Sequence, residues 1–211
     1  MRILHSSDLH GDWGNLLSHL GQSDFDLWVD TGDFFPNSTR GKAESEKPYQ
    51  EGLFEKIQTK LVRALGARTL ICVGGNHDYT DLAELVRRAG GMAHNVSDGP
   101  IKYDGLTFSG FREIPYIQGE WNGEEHDLVP VVRAAMDTKP DVLVTHSPGG
   151  LLNGGPGGHW GIPYLHACLM YSEHQVRAHL FGHIHEAGQK VVTVAELMSS
   201  NAATGHNFLW L

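Results

Sequence analysis

The sequence predicts an α/β fold whose strands begin parallel and end antiparallel. Three observations carry that reading. In the first half of the chain, short apolar runs alternate with segments of helical spacing in the order βαβαβα, which favours parallel strands joined by crossover helices. Near the C-terminus three apolar runs follow one another with only turns between them, as in antiparallel strands. The apolar runs before this tail repeatedly end in a polar tip.

Arg2–Ser6 is a short apolar run, read as a buried strand, and it opens into Asp8-Leu9-His10-Gly11. Trp13, Leu16, Leu17 and Leu20 recur at helical spacing, with Gly21 expected to close that helix. Asp26–Asp30 is the second strand and runs into Thr31-Gly32-Asp33. Pro36–Pro48 is polar and reads as a loop, whereas Leu53, Ile57, Leu61 and Leu65 mark a helix over Tyr49–Leu65. Thr69–Val73 is the third strand, ending in Gly74-Gly75-Asn76-His77-Asp78. A helix follows from about Asp81 to Ala89, and Asp78 is expected to cap it.

Beyond this point the pattern changes. Ile101–Tyr103 and Leu106–Ser109, split by Asp104-Gly105, read as a hairpin. His126–Asp137 is a helix, and Asp141–Val144 a strand opening into Thr145-His146. Ser147–Gly161 holds seven glycines and reads as irregular. Tyr164–His174 is a helix and Ala178–Phe181 a strand leading to Gly182-His183-Ile184-His185. Lys190–Val194, Leu197–Asn201 and Asn207–Leu211 are the closing strands. No repeat and no linker interrupts the chain, so residues 1–211 read as one domain.

Composition removes several classes. A hydrophobic share of 40% is too high for a disordered chain. No apolar run reaches the ~18 residues of a membrane span, and the N-terminus carries no signal-peptide core. Two cysteines, Cys72 and Cys168, are too few for a disulfide framework and lack metal-ligand spacing. These features point to a cytoplasmic protein without membrane partners. The net charge of −9 argues against an extended nucleic-acid surface, although bound cations would reverse the sign locally.

Five polar motifs each follow an apolar strand: Asp8-Leu9-His10, Gly32-Asp33, Gly75-Asn76-His77-Asp78, Thr145-His146 and Gly182-His183-Ile184-His185. Ligands of α/β sheets collect at the carboxyl ends of strands, so these tips are expected to converge. Asp and His supply oxygen and nitrogen donors suited to divalent transition metals. In Asp8/His10 and His183/His185 the i, i+2 spacing points both side chains one way along an extended backbone. Two Asp, one Asn and four of the 14 His exceed the needs of one ion and suit two ions that share a ligand.

The ordered series resembles that of the calcineurin-like metallophosphoesterases: D-x-H, G-D, G-N-H-[DE], a lone H, then G-H-x-H. The motifs span residues 8 to 185. The resemblance implies an α/β (α+β) four-layer sandwich, two mixed β-sheets flanked by helices, with the metal site at the C-terminal ends of strands. It implies that Asp8, His10, Asp33 and His185 hold one divalent ion. Asp33, Asn76, His146 and His183 hold the second, with Asp33 as the bridge. Manganese is the first choice, with iron, zinc, nickel or magnesium as alternatives. His77 is the implied catalytic residue, serving the leaving oxygen. The implied reaction is hydrolysis of a phosphate ester by a hydroxide held between the ions.

The arginine-containing G-D-x-x-D-R-G of protein phosphatases is absent: the stretch here is Gly32-Asp33-Phe34-Phe35-Pro36-Asn37-Ser38. Thr145-His146-Ser147-Pro148-Gly149 is similar to the T-H-x-P-P of small phosphodiesterases in the superfamily, with Gly149 where the second proline would stand. A phosphodiesterase acting on a small ester such as a nucleotide or cyclic nucleotide is therefore expected. The alternatives are a phosphomonoesterase or a nuclease for short substrates. A non-catalytic interaction scaffold is disfavoured because His77 and all seven ligands are present. Asn37, Arg112 and His159 are candidate substrate contacts, the last beside Trp160 in the glycine-rich loop. Oligomeric state is not encoded in any feature of the chain.

Overall fold

The protein is described here from a computed structural model, which covers residues 1–38, 42–116, 121–149, 152, 154–155 and 158–211. In chain order the elements are β1 (Arg2–Ser7), α1 (Gly14–Gln22), β2 (Leu27–Asp30), α2 (Ala43–Leu65), β3 (Thr69–Cys72), α3 (Leu82–Arg88) and β4 (Met92–Asn95). There follow β5 (Ile101–Tyr103), β6 (Leu106–Phe111), α4 (Glu125–Asp137), β7 (Val142–Thr145), β8 (Gly154–Gly155), β9 (Gly158–His159) and α5 (Pro163–Tyr171). The chain ends with β10 (Ala178–Phe181), a 3-10 turn at His185–Ala187, β11 (Lys190–Val194), β12 (Leu197–Asn201) and β13 (Gly205–Trp210).

Two mixed sheets form the frame. The first has five strands in the order β13-β1-β2-β3-β4 and the second six in the order β11-β12-β10-β7-β6-β5. β1 to β4 run parallel, as do β6, β7, β10 and β12, and antiparallel strands close the edges at β13, β5 and β11. Alternation along the central strands sorts their side chains into three cores. Ile3, Leu27, Val29 and Ile71 meet Phe108, Val142, Val144, Ala178 and Leu180 between the sheets. Leu4, Trp28 and Leu70 point the other way, under the leucines of α1 and Phe54, Leu61 and Leu65 of α2. Leu143 and Leu197 face α4 and α5 through Leu128, Val132, Leu165 and Leu169. The result is the expected four-layer sandwich. Among the described residues no helix is long and apolar enough to cross a membrane.

A polar seam crosses the inter-sheet core. His5 of β1 bonds Ser200 Oγ of β12 through Nδ1 at 2.8 Å and Thr31 Oγ1 through Nε2 at 3.0 Å. Burial, with a contribution from His179, lowers its pKa to about 3. His5 is thus a neutral ring with both nitrogens engaged, and it ties the two sheets directly beneath the strand tips.

Several elements depart from expectation. α2 begins at Ala43, not Tyr49, and contains Pro48. Gly21 lies inside α1, which runs to Gln22 and is capped by Ser23. β4 had no sequence signal. The glycine-rich segment carries a two-stranded ribbon, β8–β9, rather than being irregular throughout; its residues 150–151, 153 and 156–157 lie outside the described set. The helix after β3 is capped by Asp81, whose Oδ1 accepts from Ala83 N at 2.8 Å. Asp78 therefore has another role.

Candidate metal centre

The five motifs all lie at the carboxyl ends of strands: β1, β2 and β3 in the first sheet, β7 and β10 in the second. The loops after β1 and β2 run side by side. Asp8 N donates to Gly32 O at 2.8 Å and His10 N to Asp33 O at 2.9 Å. Asp8, His10, Asp33 and His183 adopt left-handed backbone with φ of 53°, 45°, 55° and 66°. Non-glycine residues enter that region at a cost, and here four donors do so together. The conformation turns their side chains out of the strand direction and into one cleft.

Close backbone packing makes this arrangement tight. Gly32 has φ +98°, and a Cβ there would stand 2.4 Å from Gly75 N. A Cβ on Gly182 would strike the Ser7 hydroxyl and the Asp8 carboxylate. Asp78 is buried behind the loops, where its carboxylate accepts from Gly75 N at 2.9 Å and Phe35 N at 3.0 Å. It pins the loop after β3 to the loop after β2. Burial, then the neighbouring Asp33, pushes its pKa up.

The donor atoms draw together in two overlapping groups. In each of the sets Asp8/His10/His185 and Asp8/Asp33/His146, one ligand atom per residue lies within 4.8 Å of the others. His185 Nε2 is 3.1 Å from Asp8 Oδ1, and His146 Nε2 is 3.0 Å from Asn76 Oδ1. Asp33 Oδ2 lies between the groups, 3.8 Å from His10 Nε2 and 3.4 Å from His146 Nε2. That position fits a shared ligand. His146 Nδ1 donates to Thr31 O at 2.7 Å, so Nε2 is the ring nitrogen turned to Asn76 and Asp33. His183 approaches the His146 ring, centroids 4.9 Å apart, and its backbone N donates to Asp8 Oδ2 at 2.8 Å.

Electrostatics match a cation site. Burial works against the carboxylate of Asp33, yet His146, His77 and His10 hold its pKa well below the usual range. Burial likewise opposes ionisation of Asp8, and the bond from His185 overcomes it. Burial opposes a proton on His146, but Asp33 and Asp8 outweigh it and raise its pKa to about 9. The same negative donor set, rich in imidazole and carboxylate, suits divalent transition ions. Burial and then His146 lower His183 to about 4, which keeps it neutral as a nitrogen ligand must be.

The site opens as a cleft of about 310 Å³ lined by His10, Asp33, Asn76, His77, His183, His185 and Glu186. All seven expected ligands are thus brought together, five on the cleft wall, with the buried Asp8 and His146 among the donor groups. His77 stands at the rim, 40% exposed in its side chain, with Nε2 4.0 Å from Asp33 Oδ2. A larger hollow of about 610 Å³ opens around Arg133, Tyr164 and His174, away from the strand ends, and no donor group converges there among the described residues.

The three expected substrate contacts fare differently. Asn37 is turned onto His77, its Nδ2 2.9 Å from His77 Nδ1. Arg112 lies behind the β3 loop, where its guanidinium donates to the carbonyls of Gly75 and Asp78 and stacks 3.5 Å from the Trp121 ring centroid. It supports the loop that carries Asn76 and His77 and is not on the cleft wall. His159 lies on β9, and the expected contact of its side chain falls outside the described residues. Sequence reasoning missed Glu186, which is on the wall; its only signal was adjacency to His185. It also missed Gln50 of α2, which donates to His77 O at 2.6 Å and accepts from Tyr79 N at 2.8 Å.

A family model described as calcineurin-like phosphoesterase matches residues 1–187. A solved crystal structure is similar to the chain with a TM-score of 0.70 at 14% identity, covering 99% of this chain and 94% of the other; at that identity the likeness speaks for the fold. No match was found among curated protein sequences. With the family match spanning all five motifs, the chain belongs to the calcineurin-like phosphoesterase family.

Proposed function

We propose that this protein is a dinuclear metal-dependent phosphodiesterase acting on a small phosphate diester such as a nucleotide or cyclic nucleotide. The observation that carries the diester preference is the charge of the cleft wall. Among the described residues it has no Lys or Arg, and the one side chain added to the expected set is the carboxylate of Glu186. The nearby cation Arg112 is bound to loop carbonyls. A monoester dianion would face Glu186 without a guanidinium to offset it, whereas a diester carries a single charge.

Asp8, His10, Asp33 and His185 would hold one ion, and Asp33, Asn76, His146 and His183 the other, manganese first among the choices. Bound there, divalent ions supply Lewis-acid activation of water and neutralise phosphoryl charge. The chain's own contribution is positional. Asp33 takes the backbone N–H of His77 on Oδ1 at 2.7 Å, so the ligand shared by both groups also fixes the residue at the rim. His77 then presents Nε2 to the leaving oxygen and stabilises the charge that develops there.

Turnover of bis-p-nitrophenyl phosphate against p-nitrophenyl phosphate by the manganese-loaded protein tests the proposal. Higher kcat/KM on the diester is expected, and a preference for the monoester would overturn it. Glu186→Arg should raise the monoester-to-diester ratio about tenfold, since it reverses one charge at the edge of a wet cleft; an unchanged ratio would remove Glu186 from the account. His77→Ala should keep its metal content but lose about 10²–10⁴-fold in kcat on a diester whose leaving group is an alcohol.

A further inference from the structure

The partner of His77 gives a further inference, which rests on the role just proposed for that histidine. Asn37 follows the shared ligand Asp33 on the same loop and is partly buried. Its Nδ2 meets His77 Nδ1 at 2.9 Å, while its Oδ1 is buried with no hydrogen-bond partner among the described residues. The reverse amide orientation would leave an NH₂ group, with two donors, in that position; a lone carbonyl oxygen is the lesser loss. The amide N–H therefore faces the ring. A ring nitrogen that accepts a hydrogen bond carries no proton of its own, so the ring proton of neutral His77 resides on Nε2, the nitrogen 4.0 Å from Asp33 Oδ2 on the cleft side.

We propose that Asn37 is the positioning residue of the active site: it fixes the His77 ring plane and holds it as the tautomer whose Nε2–H donates a hydrogen bond to the leaving oxygen. His77 is then anchored at three points. Asn37 holds Nδ1, Gln50 holds the backbone carbonyl and Asp33 holds the backbone N–H. Only the first of these holds the ring by a hydrogen bond; the His10 ring packs edge-on against it, centroids 4.9 Å apart, at a rim where His77 is 40% exposed.

The help that Nε2–H gives should scale with the charge on the departing oxygen. That charge is large for an alcohol and small for p-nitrophenol, so leaving-group dependence separates ring positioning from general damage. The full-length, manganese-loaded protein would be assayed on bis-p-nitrophenyl phosphate and on thymidylyl-(3′→5′)-thymidine, with bound manganese measured in parallel. Asn37→Ala should lower kcat on the dinucleotide about 10–100-fold and on the nitrophenyl diester by no more than about threefold, at unchanged metal content. Asn37→Gln, which keeps an amide N–H that can donate to Nδ1, should recover part of the dinucleotide rate. Asn37→Leu, which fills the space without a hydrogen bond, should not.

Equal losses of Asn37→Ala on both substrates, or full activity of Asn37→Leu, would overturn the assignment. His77→Ala identifies which reading has failed. If His77→Ala loses more on the dinucleotide while Asn37→Ala does not, Asn37 alone is misassigned. If His77→Ala also loses equally on both, the leaving-group role of His77 falls, and the assignment of Asn37 with it.

Discussion

Asp33→Asn should abolish loading of the paired metal site and reduce turnover by about 10³-fold or more. The substitution is chosen to spare the backbone. Asp33 sits at φ 55°, a conformation asparagine tolerates better than most residues, and an amide oxygen can still accept from His77 N in place of Oδ1. What changes is Oδ2, which faces His10, His146 and His77 at 3.8, 3.4 and 4.0 Å. An NH₂ there cannot ligate and would confront ligand nitrogens instead. Losing even a residue that only supports a ligand commonly costs 10–100-fold in metal affinity or activity, and Asp33 is the residue proposed above to serve both ions. Metal content by emission spectroscopy and turnover under saturating manganese should fall together. Two retained equivalents of metal with full activity would show that Asp33 is not the shared ligand.

Gly32→Ala should damage both the fold and the site. Two costs add. The φ of +98° is one that L side chains rarely adopt, and the new Cβ would lie 2.4–2.7 Å from the backbone of Gly74 and Gly75. Neither neighbour is a side chain that can swing aside. Left-handed backbone costs about 1–2 kcal/mol, and overpacking adds about 1–3 kcal/mol. A loss of about 2–5 kcal/mol would lower Tm by roughly 4–20 °C in a chain of this size. The displaced loop carries Asn76 and His77, so metal affinity should fall in the same variant. Gly52→Ala is the control. It lies within α2, a Cβ there meets nothing within 4 Å, and the change should stabilise by about 0.5–1 kcal/mol. Thermal melts of the two variants should therefore move in opposite directions.

The strand tips were readable because each combines a buried apolar run with donors beyond its end, and both signals are local in sequence. What escaped was decided by distant partners. Pro48 reads as the end of a loop because proline removes a helix hydrogen bond. The helix nevertheless begins before it, because Glu46 accepts from Ser38 N at 2.8 Å and Gln50 clasps His77 and Tyr79. β4 has the polar sequence Met-Ala-His-Asn and exists through its parallel pairing to β3. Asp78 looks like a cap from its position before a helix, yet its carboxylate serves backbone amides at Phe35 and Gly75. His5 and His179 follow no pattern along the chain because they serve contacts between strands. His5 bonds Ser200 at a separation of 195 residues, and His179 bonds Thr145 across neighbouring strands.

The four left-handed donors have a consequence for how the protein acquires its ions. Their conformations are held by loop-to-loop hydrogen bonds between protein groups and by close glycine contacts. The coordination sphere is therefore shaped at folding, and a chelator should strip the protein without melting it. A vessel that keeps its form when emptied can be refilled, and with a different occupant. Which ion resides there then follows the affinity order of the divalent metals and their supply in the surroundings rather than an ion-driven change of fold. The activity of any preparation should accordingly carry a memory of the medium in which the chain was made.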